Sequence, residues 1–259
     1  MTLLDEGNGP ALLLFHGWNG SVDNFDAWLP ALTPHFRVIA PDLPGCADVP
    51  PLAEKHTAAA YARWTVDVLD AIGVQRAVVG GLCSGTAIAL AFAEIAPDRT
   101  HGLLLHTPFL HPRLVRPLIR AQLTLLGSPV GLLWGPVRKS TLLSTLHRRI
   151  FANAAEVEAP QLARDQADLV RADPAAGREL ARDLLTVDRT PVLRAWRAPV
   201  AVLLAEHDAF VDTPRTALAI AQAAPHAVIE RFPGGHGWTP AYRRQQHTAL
   251  ARLALGLRV

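Results

Sequence analysis

Short apolar runs separated by longer stretches of helical periodicity constrain this chain more than any other feature. Residues 11–15, 36–40, 77–80, 102–105, 200–205 and 227–232 are each four to six residues long, bounded by glycine, proline or charged residues. Apart from Arg37, Glu230 and Arg231 these runs carry no charge, and most are continuously apolar rather than alternating, as in strands of a parallel sheet buried on both faces. Residues 25–32, 57–72, 84–95, 213–223 and 240–255 place apolar side chains at helical spacing, with Thr57 and Thr239 positioned as N-caps. Residues 2–5 are expected to add an edge strand. The series predicts an α/β fold, a mostly parallel central sheet flanked by helices.

From residue 107 to about 190 the alternation stops. This stretch has helical patterns and five prolines in its first thirty residues. It reads as a helical cap, residues 107–190, inserted into a core of residues 1–106 and 191–259. Between Thr107 and Phe151 lie Arg113, Arg116, Arg120, Arg138, Lys139, Arg148 and Arg149, with no Asp or Glu. A solvated helix face is one reading of that pattern. The other is a dock for the phosphate of a coenzyme A or carrier-protein arm. Apolar residues such as Leu110, Leu114, Leu118, Leu125 and Trp134 are too numerous for a fully solvated insert and predict a buried face shaping an acyl pocket.

Composition excludes several classes. Apolar residues are 50% and charged residues 19% of 259, enough for a full core and unlike a disordered chain. Lys plus Arg number 25 against 23 Asp plus Glu, a net +2, too balanced for a nucleic-acid footprint over the whole surface. The two cysteines make no disulfide framework and no paired metal motif, and fit a reducing compartment. The first apolar run is too short to span a bilayer and follows Asp5 and Glu6, where a secretory signal would be basic. A soluble, cytoplasmic protein without a membrane span is expected.

The chemistry concentrates where the third main strand ends, in Val78-Val79-Gly80-Gly81-Leu82-Cys83-Ser84-Gly85-Thr86-Ala87, ahead of an alanine-rich helix. A strand-to-helix turn this tight needs glycine two residues before and two after its central residue, which sits in strained geometry with neighbouring chain pressed close. Gly81 and Gly85 meet that requirement around Cys83. Ser84 has Leu82 and Thr86 at the same offsets, so Cys83 is the expected nucleophile.

With these residues in view, nearly the whole chain resembles the α/β-hydrolase superfamily. Phe15-His16-Gly17-Trp18 is similar to its oxyanion turn, and Pro41-Asp42-Leu43-Pro44-Gly45 to the loop after the next strand. Gly81-Leu82-Cys83-Ser84-Gly85 resembles the nucleophile elbow, with cysteine where most members carry serine. Leu203 to Asp208 resembles the strand end that delivers the acid, and Phe232-Pro233-Gly234-Gly235-His236-Gly237 the loop that delivers the histidine. The order nucleophile, acid, histidine is that of the superfamily.

The resemblance implies a triad of Cys83, His236 and Asp208, with Asp212 as the competing acid, and an oxyanion hole from the backbone N–H groups of Trp18 and Ser84. Leu82, Leu110, Trp134 and Trp238 are expected to face substrate, and His106 either to do so or to be a satisfied loop histidine. His16 is expected to brace the oxyanion loop, and Cys46 to be a bystander thiol. No metal or cofactor is implied. The expected substrate is a small acyl compound, with coenzyme A or a carrier protein as the candidate arm. Dienelactone hydrolases also use a cysteine triad but are compact, which the insertion argues against. Hydrolysis of an ester or thioester is the first expectation. A thioester intermediate also suits acyl transfer or cyclisation onto an amine, alcohol or carbon acceptor. A non-catalytic receptor on this fold would be free to lose Asp208 or His236, and both are present.

Overall fold

The computed structural model describes residues 2–133, 139, 140, 142, 159–236 and 243–258. Among these, one sheet contains β1 (Leu3–Glu6), β2 (Ala11–Phe15), β3 (Arg37–Pro41), β4 (Ala77–Leu82), β5 (Thr100–His106), β6 (Val200–Ala205) and β7 (Val228–Phe232). Their spatial order is β1-β3-β2-β4-β5-β6-β7. Every pair is parallel except β1 with β3. The helices are α1 (Leu29–Leu32), α2 (Ala58–Ala71), α3 (Gly85–Ile95), α4 (Pro117–Gly127), α5 (Ala159–Arg171), α6 (Pro174–Thr186), α7 (Thr190–Ala195), α8 (Thr213–Ala223) and α9 (Arg243–Leu255).

Strand alternation splits the interior into two cores, which explains the continuous apolar runs. Leu13, Phe15, Val79, Leu103, Leu105, Val202 and Leu204 enter the core covered by α2, α3, α7 and α8. Leu12, Leu14, Val78, Leu104, Ala201 and Leu203 enter the core covered by Phe25, Trp28, Leu32 and α9. Helix α3 is buried over Gly85–Ala93, as its apolar circumference requires. Thr57 caps α2 by accepting from the Ala60 N–H at 3.1 Å, worth about 1 kcal/mol.

A continuous helix over residues 25–32 does not form. A 3-10 turn at Val22–Phe25 and the single turn α1 replace it. Pro30 has no N–H for a helical bond, while Phe25 and Trp28 bury against each other edge to face at 5.3 Å.

Chain order reverses at β2, with β3 on one side and β4 on the other, so a crevice opens beyond the carboxyl ends of β2 and β4. Phe15 pairs with Gly81 at that edge. The loop after β2 and the turn after β4 therefore share one site.

Between β5 and β6 the described residues form α4 to α7, and the isolated bridge Val115 to Val211 is their only strand-like pairing outside the sheet. Ile119, Leu123 and Leu126 of α4 are buried, as are Leu180, Ala181 and Leu184 of α6, where the two helices pack together. Leu118 and Leu125 lie on another face, 58% and 56% exposed. This corrects their expected place in a pocket wall, because packing on α6 takes up the apolar stripe that an eleven-residue helix turns inward. Trp134, Trp238 and Thr239 lie outside the described residues.

Candidate active site

The turn from β4 into α3 sets Cys83 at φ +57°, a conformation costing an L-residue roughly 1–2 kcal/mol. Its surroundings fix it there. The Cys83 N–H donates to the His106 carbonyl at 3.0 Å, and the Thr86 N–H donates to the Cys83 carbonyl at 3.1 Å. A Cβ on Gly81 would meet the Gly85 carbonyl at 2.5 Å, and one on Gly85 would meet the Phe15 carbonyl oxygen at 2.1 Å. Gly81 therefore lets the start of α3 fold back on the end of β4, and Gly85 lets the turn lie against β2. Ser84 has helical backbone, φ −60°, and its hydroxyl is buried without a hydrogen-bond partner among the described residues.

Beyond β7, His236 donates from Nδ1 to the Asp208 carboxylate, with the two oxygens at 2.8 and 3.0 Å. Asp208, beyond the end of β6, also accepts from the Phe210 and Val211 N–H groups at 2.7 and 3.0 Å. Asp212 instead caps α8, accepting from the Arg215 N–H at 3.1 Å. Asp208 is thus the carboxylate brought to the imidazole. Burial pushes the Asp208 carboxyl up, but His236 and the two backbone donors outweigh it and hold it below its ordinary value. Burial likewise pushes the His236 ring down, and Asp208 and Cys83 reverse this, raising it to about 10. The ring stacks on Phe210 at 4.2 Å. Its Nε2 has no hydrogen-bond partner among the described residues.

His16 is fully buried. Its Nδ1 lies 2.9 Å from the Gly17 carbonyl, and its Nε2 accepts from the Leu43 N–H at 3.1 Å. Burial lowers its pKa and keeps the ring neutral, as that acceptor role needs. Asn24 Oδ1 accepts from the Gly17 N–H at 3.4 Å. Among the described residues, no hydrogen bond engages the backbone N–H of Trp18 or of Ser84. A Cβ on Gly17 would be 3.6 Å from Cys83 Cβ and 3.9 Å from the Leu82 side chain, so Leu82 and Cys83 border the oxyanion turn.

Two candidate substrate contacts are corrected. His106 is 1% exposed, held between Trp28 and Phe232 with ring centroids 5.5 and 5.6 Å away. Burial pushes its pKa down to about 3, and its contribution to the turn is its carbonyl. Leu110 is also 1% exposed and belongs to the core beneath α3 and α8. Both sit at the end of a buried strand or just past it, where the core claims the side chain.

Sequence reasoning missed Phe210 and Arg116. Arg116 is exposed, yet it donates from Nε to the Asp208 carbonyl at 2.7 Å, and so joins the loop carrying the acid. Phe210 was within reach, two residues after the acid. Arg116 was not, since nothing local to it points across 92 residues. Arg113, Arg120 and Lys139 are exposed; Arg138, Arg148 and Arg149 lie outside the described residues.

A sequence model of the alpha/beta hydrolase fold matches residues 10–237. A Caulobacter sp. (strain K31) protein, provisionally named a carbamate hydrolase, is 28% identical and covers 89% of this chain and 87% of its own. Uncharacterised proteins of Mycobacterium tuberculosis and Mycobacterium bovis are 32% identical over 99 residues, and the chain spans only 29% of their length. Among solved structures, a hydrolase from Pseudomonas aeruginosa has a TM-score of 0.78 at 22% identity, covering 98% of this chain and 92% of that one; this likeness is one of fold. The chain belongs to the α/β-hydrolase fold family.

Proposed function

We propose that this protein is an acyl hydrolase of esters or thioesters that works through a covalent thioester on Cys83. The observation that carries the reading is Cys83 at φ +57° on the elbow, together with a His236 imidazole whose Nδ1 is bound to a buried carboxylate. In the forward step the Cys83 proton, held on His236 Nε2, leaves Sγ free to attack the acyl carbon. The tetrahedral oxyanion takes the Trp18 and Ser84 N–H groups, each worth roughly 3 kcal/mol when preorganised. Collapse breaks the bond to the alcohol or thiol, which leaves with the proton from His236. Water, deprotonated by the same nitrogen, then releases the acid and restores the thiolate. Asp208 keeps the imidazole in the required tautomer and stabilises it when charged.

The described helices between β5 and β6 act as the cap over this centre. Exposed Arg113, Arg120 and Lys139 suit an acyl group carried on coenzyme A or a carrier protein, whose phosphate they would pair. A second reading, acyl transfer or cyclisation, is favoured by the nucleophile itself, since a thioester passes its acyl group to amines and carbanions more readily than an oxygen ester does. Intact-mass spectrometry after mixing with short acyl thioesters and esters tests both. An adduct in wild type and Ser84→Ala, absent in Cys83→Ala, is expected; adduct formation that survives Cys83→Ala overturns the reading. Adduct decay accelerated by amines but not by water would select transfer over hydrolysis.

A further inference from the structure

The loop that follows β2 and carries the Trp18 N–H is gripped from two directions. From the core side, His16, Asn24 and Asp42 fix it, the last by accepting from the Val22 N–H at 2.8 Å. From the cap side come two bonds between residues far apart in the chain. The Trp18 indole donates to the Gly177 carbonyl of α6 at 2.9 Å. The Ser21 hydroxyl donates to Asp168 Oδ2 of α5 at 2.8 Å.

These contacts are not incidental packing. Asp168 and Ser21 are each 2% exposed, and burying a carboxylate costs several kcal/mol unless partners offset it. Here Arg171 supplies the countercharge, at 2.5 Å from the other oxygen. Asn19, at φ +52°, bends the loop against α6 so closely that a Cβ on Gly177 would lie 2.7 Å from its Oδ1. The start of α6 is itself tied to the core, since the Asp173 N–H donates to the Gly45 carbonyl at 2.7 Å. The donor N–H therefore sits on a short loop whose side chains end on cap helices.

We propose that Trp18 and Asp168 are positioning residues through which the cap sets the direction of the Trp18 backbone N–H. The indole fixes Trp18 through Gly177, and Asp168 fixes the far end of the loop through Ser21. The inference rests on the proposed function, in which that N–H receives the oxyanion. A catalytic group displaced by 1 Å loses on the order of 100-fold in rate. The latch therefore acts on the chemical step and leaves ground-state binding alone.

The test uses p-nitrophenyl butyrate as probe, with p-nitrophenol release giving kcat and KM, and hydrogen exchange by mass spectrometry over residues 16–22 as a readout independent of turnover. Trp18→Phe keeps most of the ring bulk and loses the donor; Asp168→Ala removes the acceptor, and Asp168→Asn keeps one. Trp18→Phe and Asp168→Ala are expected to lower kcat by about 10- to 100-fold with little change in KM, and to speed exchange in the loop. Asp168→Asn should recover most of both. A loss confined to KM, or Asp168→Asn as damaged as Asp168→Ala, overturns the positioning role. Unchanged exchange in both disruptive variants overturns the latch whatever the activity. If the wild type forms no adduct on Cys83, the proposed function falls and takes the catalytic purpose with it, even where exchange still responds.

Discussion

Replacing Cys83 by glycine is expected to leave a more stable protein than replacing it by alanine, the reverse of the usual order. At an ordinary site glycine is the worse choice, because its unfolded chain has more freedom to lose, by about 0.4–1 kcal/mol. At φ +57° alanine keeps the clash between Cβ and the following carbonyl, about 1–2 kcal/mol, and glycine does not. The difference leaves glycine ahead by about 1 kcal/mol, or roughly 2–4 °C in Tm for a chain of this size. Neither variant has a thiol, so catalysis cannot confuse the comparison. Ser84 is the internal control. Its φ of −60° and ψ of −26° are helical, so Ser84→Gly should gain nothing over Ser84→Ala from relief of a left-handed backbone. Thermal and urea unfolding of the four variants read both differences. If Cys83→Gly is no more stable than Cys83→Ala, the backbone there is not strained, and the argument that separates Cys83 from Ser84 fails.

Two other outcomes follow from the site. Asp208→Asn should drop the His236 pKa well below about 10, since Asp208 is what chiefly offsets burial, and NMR titration of the ring reads this directly. His236, raised from 6.5, adds stability that is full below pH 6.5 and lost as pH rises toward about 10; Asp208, lowered from 3.8, adds stability that is full above pH 3.8 and lost as pH falls through its folded value. The stability gap between wild type and Asp208→Asn should therefore narrow above pH 6.5, and a gap constant from there to pH 10 would contradict the pairing. Gly85→Ala should cost about 3 kcal/mol, because its Cβ would meet the backbone oxygen of Phe15 at 2.1 Å. Gly127→Ala, in the last turn of α4 with only ordinary contact at 3.6 Å, should cost nothing or stabilise slightly. Denaturant midpoints for the pair check this, and a Gly85→Ala loss under about 1 kcal/mol would count against the close approach of α3 to β2.

By itself the sequence determined what depends on a few consecutive residues. The bounds of β2 and β6, the caps at Thr57 and the elbow centred on Cys83 rather than Ser84 were legible, because periodicity, side-chain capping and the glycines flanking a left-handed residue act over one to five positions. The tertiary structure decided which of several chemically equal groups meet. Asp208 and Asp212 are both carboxylates just past β6, and only the approach of the loop after β7 gives one to His236 while the other caps α8. Helix α4 has apolar residues on more than one face, and packing on α6 leaves Leu118 outside. Arg116 reaches the Asp208 carbonyl and the Trp18 indole reaches Gly177 across 92 and 159 residues. A hydrogen bond of this kind leaves no local periodicity and demands no special backbone, so its partners become known only when the helices between β5 and β6 are brought against the sheet.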